Sequence, residues 1–108
     1  MNCLFCKIVK KEIPAQVVFE NEHCLAFRDI APQAPTHVLI IPKIHIERHA
    51  VLPTETWTQM HQAVLEVTAR EKLKDYRLVI NNGEEAGQTV WHFHMHLLSG
   101  RPLSWPPG

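Results

Sequence analysis

Three histidines alternate with apolar residues near the end of the sequence, at His92, His94 and His96. Successive side chains of a β-strand point to opposite faces. A strand here would therefore place the three imidazoles on one face and an apolar set on the other: Trp91, Phe93, Met95 and Leu97. A half-buried strand that carries histidine by chance is the alternative, but histidine has no special preference for strands. The pattern predicts chemistry at neighbouring imidazoles.

Two kinds of chemistry fit such a row of imidazoles. A zinc enzyme would use them as ligands, yet His92 and His96 would lie roughly 13 Å apart along a strand, so all three cannot bind one ion. Nucleophilic catalysis is the other possibility. There a neutral imidazole attacks an electrophile while its neighbours stabilise charge and move protons.

The residues just before the histidines favour nucleophilic catalysis. Gly87, Gln88 and Thr89 end a glycine-bearing loop, whose backbone N–H groups and Thr89 hydroxyl are suited to phosphate oxygens. Taken alone, Gly83 and Gly87 indicate only a turn.

A second cluster of chemistry-bearing residues lies at the other end of the sequence. Cys3 and Cys6 have the C-x-x-C spacing that lets two thiolates bind one zinc ion. With three cysteines in total, a disulfide framework is not expected. The alternative is two reduced cysteines packed as small apolar residues.

The elements that must position these residues follow from hydrophobic periodicity and from turn residues. A short helical turn over residues 3–9 presents Leu4, Phe5 and Ile8 on one side, and a long helix is predicted over 54–72. That helix carries an apolar face with a helical period: Trp57, Met60, Val64, Val67 and Thr68. Strands are predicted over 17–20, 24–28, 37–41, 77–81 and 89–99. The sum is an α+β domain, with about five antiparallel strands, one main helix and a short N-terminal helix.

Length and composition exclude several classes of protein. The 108 residues allow one domain, and 45% hydrophobic with 20% charged residues is an ordinary globular balance. Eleven basic residues balance eleven acidic ones, so nucleic acid and anionic membranes are not expected partners. The longest apolar run, residues 38–41, is too short to span a bilayer, and the first residues do not read as a signal peptide. The expected location is the cytoplasm.

Residues 87–98 resemble the histidine-triad motif of the HIT superfamily, His-φ-His-φ-His-φ-φ, where φ is apolar. Further segments resemble its Hint branch, the histidine triad nucleotide-binding proteins: residues 3–8, 27–30, 31–37, 41–43 and 105–108. The resemblance implies a single HIT domain over residues 1–108 and a homodimer whose sheet runs across both subunits. It also implies an enzyme that hydrolyses purine nucleoside 5′-phosphoramidates through a nucleotidyl-histidine intermediate and releases the 5′-monophosphate.

The resemblance also implies roles for individual residues. His94 matches the nucleophile, accompanied by His92, and His96 and His37 match positions near the phosphate and the leaving group. Phosphate-contacting positions match Asn81, Gly87 and Thr89, and Asp29 matches the carboxylate that accepts the ribose hydroxyls. An apolar slot for the base matches Phe5, Ile8, Phe27 and Ile30, with Leu4 beside it. The tail, residues 101–108 with Trp105, would reach the partner subunit.

Two other activities remain possible, and a structural metal site is also expected. A dinucleoside polyphosphate hydrolase is one, although such enzymes tend to carry Gln where this sequence has Asn81, and a non-catalytic nucleotide-binding regulatory module is the other. The expected ligands are purine nucleotides, namely AMP, GMP and their phosphoramidates. No catalytic cofactor is expected. A structural zinc is expected at Cys3 and Cys6, with His45 and His92 as the other two ligands, since zinc-bearing bacterial relatives look similar at these positions.

Overall fold

The computed structural model describes residues 3–108, so the first two residues of the predicted domain lie outside the described part. The helices are α1 (Leu4–Val9) and α2 (Thr54–Arg70), and a short 3₁₀ turn spans His49–Val51. The strands are β1 (Val17–Glu20), β2 (Cys24–Arg28), β3 (Thr36–Pro42), β4 (Arg77–Val79) and β5 (Met95–Ser99). They form one antiparallel sheet in the order β1-β2-β3-β5-β4. The predicted α+β fold is confirmed.

The sheet is covered on both faces, and the alternation of side chains along its central strands decides which residues meet which helix. Cys24 and Ala26 of β2 and Val38 and Ile40 of β3 belong to the core formed with α2. That helix buries side chains three or four residues apart: Thr56, Met60, Ala63, Val64 and Val67. Trp57, predicted on the apolar face of the helix, is 41% exposed instead.

The other face of the sheet packs against α1 in a smaller core. Leu25 and Phe27 of β2 and Leu39 and Ile41 of β3 contact this side, together with Phe5 and Ile8 of the helix. His37 has the same parity as Leu39 along β3, and His96 of β5 is the cross-strand partner of Leu39. Both histidines therefore lie on the α1 face of the sheet.

The last strand is shorter than predicted. Only Met95–Ser99 pairs in the sheet, whereas residues 89–94 were expected to continue the strand. The preceding segment is held instead by the last residue of β3 and the loop that follows it: the His92 ring donates to the Pro42 carbonyl, and the Phe93 N–H donates to the Ile46 carbonyl. Consequently Trp91, predicted to dock on the core, is 41% exposed, and the strict two-residue alternation does not extend to His92.

Two further boundaries differ from the predictions by two residues. Helix α2 ends at Arg70 and not at Lys72, because Lys72 adopts a left-handed backbone conformation (φ 55°) that a right-handed helix cannot include. Strand β4 ends at Val79 and not at Asn81. Within residues 3–108, no helix is both long and apolar enough to cross a bilayer.

Candidate active site and cysteine–histidine cluster

His94 is held in one tautomer by the backbone. Its Nδ1 lies 2.8 Å from the carbonyl oxygen of His92, and a carbonyl only accepts, so Nδ1 carries the proton. The other ring nitrogen, Nε2, therefore has a free lone pair. The side chain is buried at 8% exposure, and its ring centroid lies 5.2 Å from that of His96. A neutral imidazole with a fixed lone pair is the form that can act as a nucleophile.

His96 is oriented by a chain of hydrogen bonds that begins at a backbone amide. The Gln33 N–H donates to His37 Nδ1 over 3.0 Å, so the neutral His37 carries its proton on Nε2. That Nε2 lies 2.9 Å from His96 Nδ1, to which it donates. The proton of a neutral His96 is then on Nε2, which makes this ring a proton donor.

Burial favours the neutral form of all four histidines in this region. It lowers the pKa of His37, His92 and His94, although hydrogen bonds to carbonyls or the charge of Asp29 partly offset it. For His96, burial together with the neighbouring rings of His94 and His37 lowers the pKa to about 4. At neutral pH the site therefore consists of uncharged imidazoles, as the nucleophilic reading requires.

A cavity of about 570 Å³ opens on the α1 face of the sheet. Its lining includes every residue expected to surround a base, namely Leu4, Phe5, Ile8, Phe27 and Ile30, and also Asp29, expected at the ribose. Ile30 is fully exposed and Leu4 is 47% exposed, so a ligand here would cover apolar surface now facing water. Asp29 Oδ2 lies 3.5 Å from His37 Nε2, which connects the cavity to the histidines.

The residues expected at a phosphate differ in their exposure to solvent. The Asn81 amide is next to Gly87, since a Cβ at Gly87 would lie 3.7 Å from Asn81 Nδ2, and Gly87 has a positive φ of 103°. Thr89 is exposed, and within residues 3–108 its hydroxyl makes no hydrogen bond. Asn81, Gly87 and Thr89 therefore border one loop that remains open to solvent.

Gln88 corrects the sequence-based prediction of a phosphate contact. Its side chain is buried, and its Nε2 donates to the carbonyls of Glu47 and Val90, while its Oε1 accepts from the Gly83 N–H. The Gln88 N–H donates to the Gly83 carbonyl. With these groups already paired, the residue braces the loop and does not face a ligand.

A second cluster of side chains brings the N-terminal cysteines together with two histidines that are distant in sequence. Cys3, Cys6, His45 and His92 bring their ligand atoms within 4.8 Å of one another. Cys6 Sγ lies 3.3 Å from His45 Nδ1 and 3.5 Å from His92 Nδ1, and Cys3 Sγ lies 3.5 Å from the same His92 nitrogen. The structure brings together all four residues expected at zinc.

The geometry of this cluster fits a tetrahedral zinc site. With usual Zn–S and Zn–N bonds, sulfur and nitrogen ligands are about 3.5 Å apart, close to the observed distances. His92 Nε2 lies 2.8 Å from the Pro42 carbonyl, so this nitrogen carries the proton and leaves Nδ1 as the ligand atom. His92 is thus turned towards the cysteines, away from the role of a third catalytic imidazole that the resemblance had implied.

Sequence reasoning missed three groups that orient the site. They are the Gln33 amide, the Pro42 carbonyl and the Gln88 side-chain amide. Two of them are backbone groups, which leave no side-chain signal in a sequence. The third is a side chain of a loop whose backbone N–H groups were expected near phosphate, and its residue type alone did not indicate the hydrogen bonds that it makes to the Glu47 and Val90 carbonyls.

Comparison with known proteins identifies the class that this fold and this site define. The family model of the HIT domain matches residues 10–103. The chain therefore belongs to the HIT family.

Relatives match over nearly their whole length. An uncharacterised HIT-like protein of Synechocystis is 50% identical over 111 residues, covering 99% of this chain and 97% of the relative. A 14 kDa zinc-binding protein of Zea mays is 48% identical over 114 residues, covering 97% and 87%. The crystal structure of a HIT family hydrolase from Legionella pneumophila superposes with a TM-score of 0.94 at 50% identity, covering 99% of this chain and 100% of that one.

Proposed function

We propose that this protein hydrolyses purine nucleoside 5′-phosphoramidates, cleaving the P–N bond and releasing the nucleoside 5′-monophosphate. The observation that carries the proposal is the hydrogen bond from His94 Nδ1 to the His92 carbonyl, which leaves Nε2 unprotonated beside a proton-donating His96. A HIT family hydrolase among its structural relatives supports hydrolysis as the reaction type.

The first chemical step forms a bond between His94 Nε2 and the α-phosphorus. The bond from phosphorus to the leaving nitrogen breaks, and the departing amine takes a proton through His96 Nε2–H, which a proton from solvent replaces so that the ring stays neutral. In the second step water attacks the nucleotidyl-histidine. The phosphorus–Nε2 bond breaks, one proton of the water passes to solvent, and His94 is regenerated.

Recognition of the substrate divides between the cavity and the loop. The apolar walls of the 570 Å³ cavity suit a purine ring, and the Asp29 carboxylate at its edge suits the ribose hydroxyls as an acceptor. Asn81 and Thr89 supply an amide and a hydroxyl for phosphate oxygens, and Gly87 lets the loop approach closely.

A side-by-side assay tests the reaction. Purified protein is given an adenosine 5′-phosphoramidate and a diadenosine polyphosphate at equal concentration, and AMP release is followed for both. Faster release from the phosphoramidate supports the proposal. Faster release from the polyphosphate would identify a dinucleoside polyphosphate hydrolase instead, and AMP binding without turnover of either would identify a regulatory module.

We further propose that Cys3, Cys6, His45 and His92 hold a structural zinc ion. When bound, zinc supplies a cross-link between the N-terminal segment and the body of the domain, and it takes no part in the two chemical steps. The name of the maize relative and the donor set of this chain support the metal. Metal analysis of protein purified without chelator should find one zinc per chain. Clearly sub-stoichiometric zinc would reject the site.

A homodimer is the third part of the proposal. Strand β4 is an edge of the sheet, and its Leu78 is 42% exposed. On α2, Trp57 and Leu65 are exposed and eight residues apart, so they lie on the same side of the helix. Pairing of two β4 strands would extend the sheet to ten strands and bring the helices together. A monomer by light scattering at micromolar concentration would refute this assembly.

The tail over residues 101–108 belongs with the dimer. Trp105 is 83% exposed, and Arg77 reaches the tail through hydrogen bonds to the carbonyls of Leu103 and Ser104. We propose that this segment crosses to the partner's active site and shapes the side that the leaving amine occupies. The three free cysteines suit a reducing compartment, which supports the cytoplasm as the location.

A further inference from the structure

We propose that the cysteine–histidine cluster and the nucleoside cavity are energetically coupled through α1, so that zinc raises the affinity for the nucleoside and the nucleoside raises the affinity for zinc. This inference rests on the proposed function, because it assigns the cavity to a nucleoside. It makes Cys3, Cys6 and Phe5 positioning residues for that ligand.

The first link is that two of the four ligands lie on or next to α1. Cys3 caps the helix, accepting a hydrogen bond from the Cys6 N–H through its sulfur, and Cys6 follows one turn later. The helix has only six residues, and a helix this short has little stability of its own. A metal ion that joins Cys3 and Cys6 to His45 and His92 fixes the helix against the rest of the fold.

The second link is that the same helix forms one wall of the cavity. Leu4, Phe5 and Ile8 lie between or just after the two cysteines, and all three line the cavity. Phe5 makes edge-to-face contacts with Phe27 at 5.6 Å and with His94 at 5.2 Å between ring centroids. Whatever holds α1 in place therefore also holds the surface on which a base would pack.

The third link runs through His92 itself. Its ring offers Nδ1 to the cysteines, and Phe5 packs on that ring at 6.0 Å between centroids. Its carbonyl oxygen holds the Nδ1–H of His94. One residue thus connects the cluster to the nucleophile through its backbone and to the wall of the cavity through its side chain.

Binding to one site must then favour binding to the other. Each ligand reduces the conformational freedom of α1, and the second ligand meets a helix that is already ordered. Thermodynamic linkage requires the same factor in both directions, and couplings of this kind are typically between 5-fold and 150-fold, so we expect roughly tenfold. The Phe93 and Pro42 contacts also hold the catalytic segment, so the effect should appear mainly in KM and less in kcat.

The test measures both halves of the linkage on the whole protein. Adenosine is the probe, since it has no phosphate with which to chelate metal, and its Kd is measured calorimetrically for zinc-loaded and chelator-stripped protein. The zinc Kd is measured by competition with a chromophoric chelator, with and without saturating adenosine. Equal, roughly tenfold changes in the two constants support the coupling. Identical adenosine affinity with and without zinc would overturn it.

Stripped protein that unfolds would prevent the first comparison, so a kinetic measurement accompanies it. The rate at which loaded protein releases zinc to excess chelator should fall when adenosine is present, and an unchanged rate would count against the coupling. Circular dichroism reports whether the stripped protein is folded.

Two matched phenylalanine variants locate the route. Phe5→Leu keeps all four ligands and should reduce the coupling factor towards one, with zinc still bound at one per chain. Phe19→Leu removes the same atoms from the core on the α2 face and should leave the factor unchanged. Equal factors in Phe5→Leu and in the unmodified protein would overturn the route through α1.

Phosphoramidate turnover separates this inference from the proposed function. Coupling without turnover would refute the proposed reaction and keep the linkage. Turnover with a coupling factor of one would support the proposed reaction and refute the linkage.

Discussion

At the scale of single residues, the site depends on backbone groups that fix the tautomer of each imidazole. The His92 carbonyl orients His94, the Pro42 carbonyl orients His92, and the Gln33 N–H orients His37 and, through it, His96. The proton of a free neutral imidazole exchanges between the two nitrogens, whereas the hydrogen bonds of each ring here fix which nitrogen carries it. These four similar side chains thereby differ in which ring nitrogen carries the proton.

Replacing His94 by alanine should reduce phosphoramidate turnover by more than about 100-fold, because the variant lacks the nucleophile. AMP should still bind, since the cavity and Asp29 are unchanged. The measurements are phosphoramidate turnover and calorimetric binding of AMP. The control is His23→Ala, which replaces an exposed histidine between β1 and β2. A variant that keeps more than a few per cent of the rate would disprove the assignment. Acid-quenched unmodified protein should in turn show a nucleotidyl adduct by mass spectrometry.

His96 should make folding stability depend on pH in the acidic range. Its pKa is lowered from 6.5 to about 4 by burial and by His94 and His37, with Asp29 acting in the opposite direction. The unfolded chain thus binds this proton at a higher pH than the folded one. The stability that the neutral ring contributes is complete above about pH 6.5 and is lost as the pH falls towards 4.

His96→Asn provides the comparison, because an amide does not titrate and its oxygen can accept the hydrogen bond from His37. Urea denaturation between pH 7 and pH 4 should give a steeper loss of unfolding free energy for the unmodified protein than for the variant. If the unfolding free energies of the two proteins fell in parallel with pH, His96 would not be the residue responsible for the pH dependence.

At the scale of elements, the loop over residues 83–90 is organised by one buried side chain. Gln88 connects the turn at Gly83 with Val90 and with Glu47, which follows β3. The loop carries Gly87 and Thr89, and the Glu47 segment carries His45. A single amide therefore supports both this loop and the segment that carries His45.

Gln88→Glu should destabilise the fold by about 2–4 kcal/mol, since a buried carboxylate would face two carbonyl oxygens that have lost their donor. Urea denaturation measures the stability, and phosphoramidate kinetics should show a lower kcat/KM because the loop is no longer held. Gln62→Glu, at an exposed position of α2, is the matched control and should have little effect on either. Unchanged stability in Gln88→Glu would show that these hydrogen bonds contribute nothing net.

At the scale of the whole molecule, the two faces of the sheet have different tasks. Helix α2 and the α2-facing side chains of the strands form the main core, whereas the α1 side carries the cavity and the histidines. Most of the apolar burial is thus separate from the chemistry. Changes to the exposed cavity residues Leu4 and Ile30 are accordingly expected to affect binding more than folding.

Removal of residues 104–108 should change substrate ranking and leave the fold intact. The segment is exposed, and its contacts to the body include the hydrogen bond from Arg77 to the Ser104 carbonyl. If the tail shapes the leaving-amine side of the partner's site, the relative kcat/KM of different amines should change more than that of adenine against guanine. Trp105→Ala is the single-residue comparison. Equal changes in both rankings would contradict this role.

Much of the site could be predicted from local patterns in the sequence. The alternating histidines and the C-x-x-C pair carry their signal in residue type and spacing, which reflect the periods of strands and helices. The apolar slot was expected only from the resemblance to the HIT superfamily. The central strands were predicted well for the same reason, because a continuous apolar run such as residues 38–41 suits a strand covered on both faces.

Only the tertiary structure decided which distant residues contact the histidines. His92 contacts Cys3, 89 positions away in the chain, and His37 contacts His96, 59 positions away. The strand predicted over residues 89–99 was wrong only for its first six residues, because hydrogen bonds to Pro42 and to the loop after β3 replace the sheet pairing there. Contacts between distant residues and bonds to backbone atoms leave no periodic trace in a sequence, so the contact of His92 with the cysteines and the backbone bonds that fix each tautomer appear only when the chain is folded.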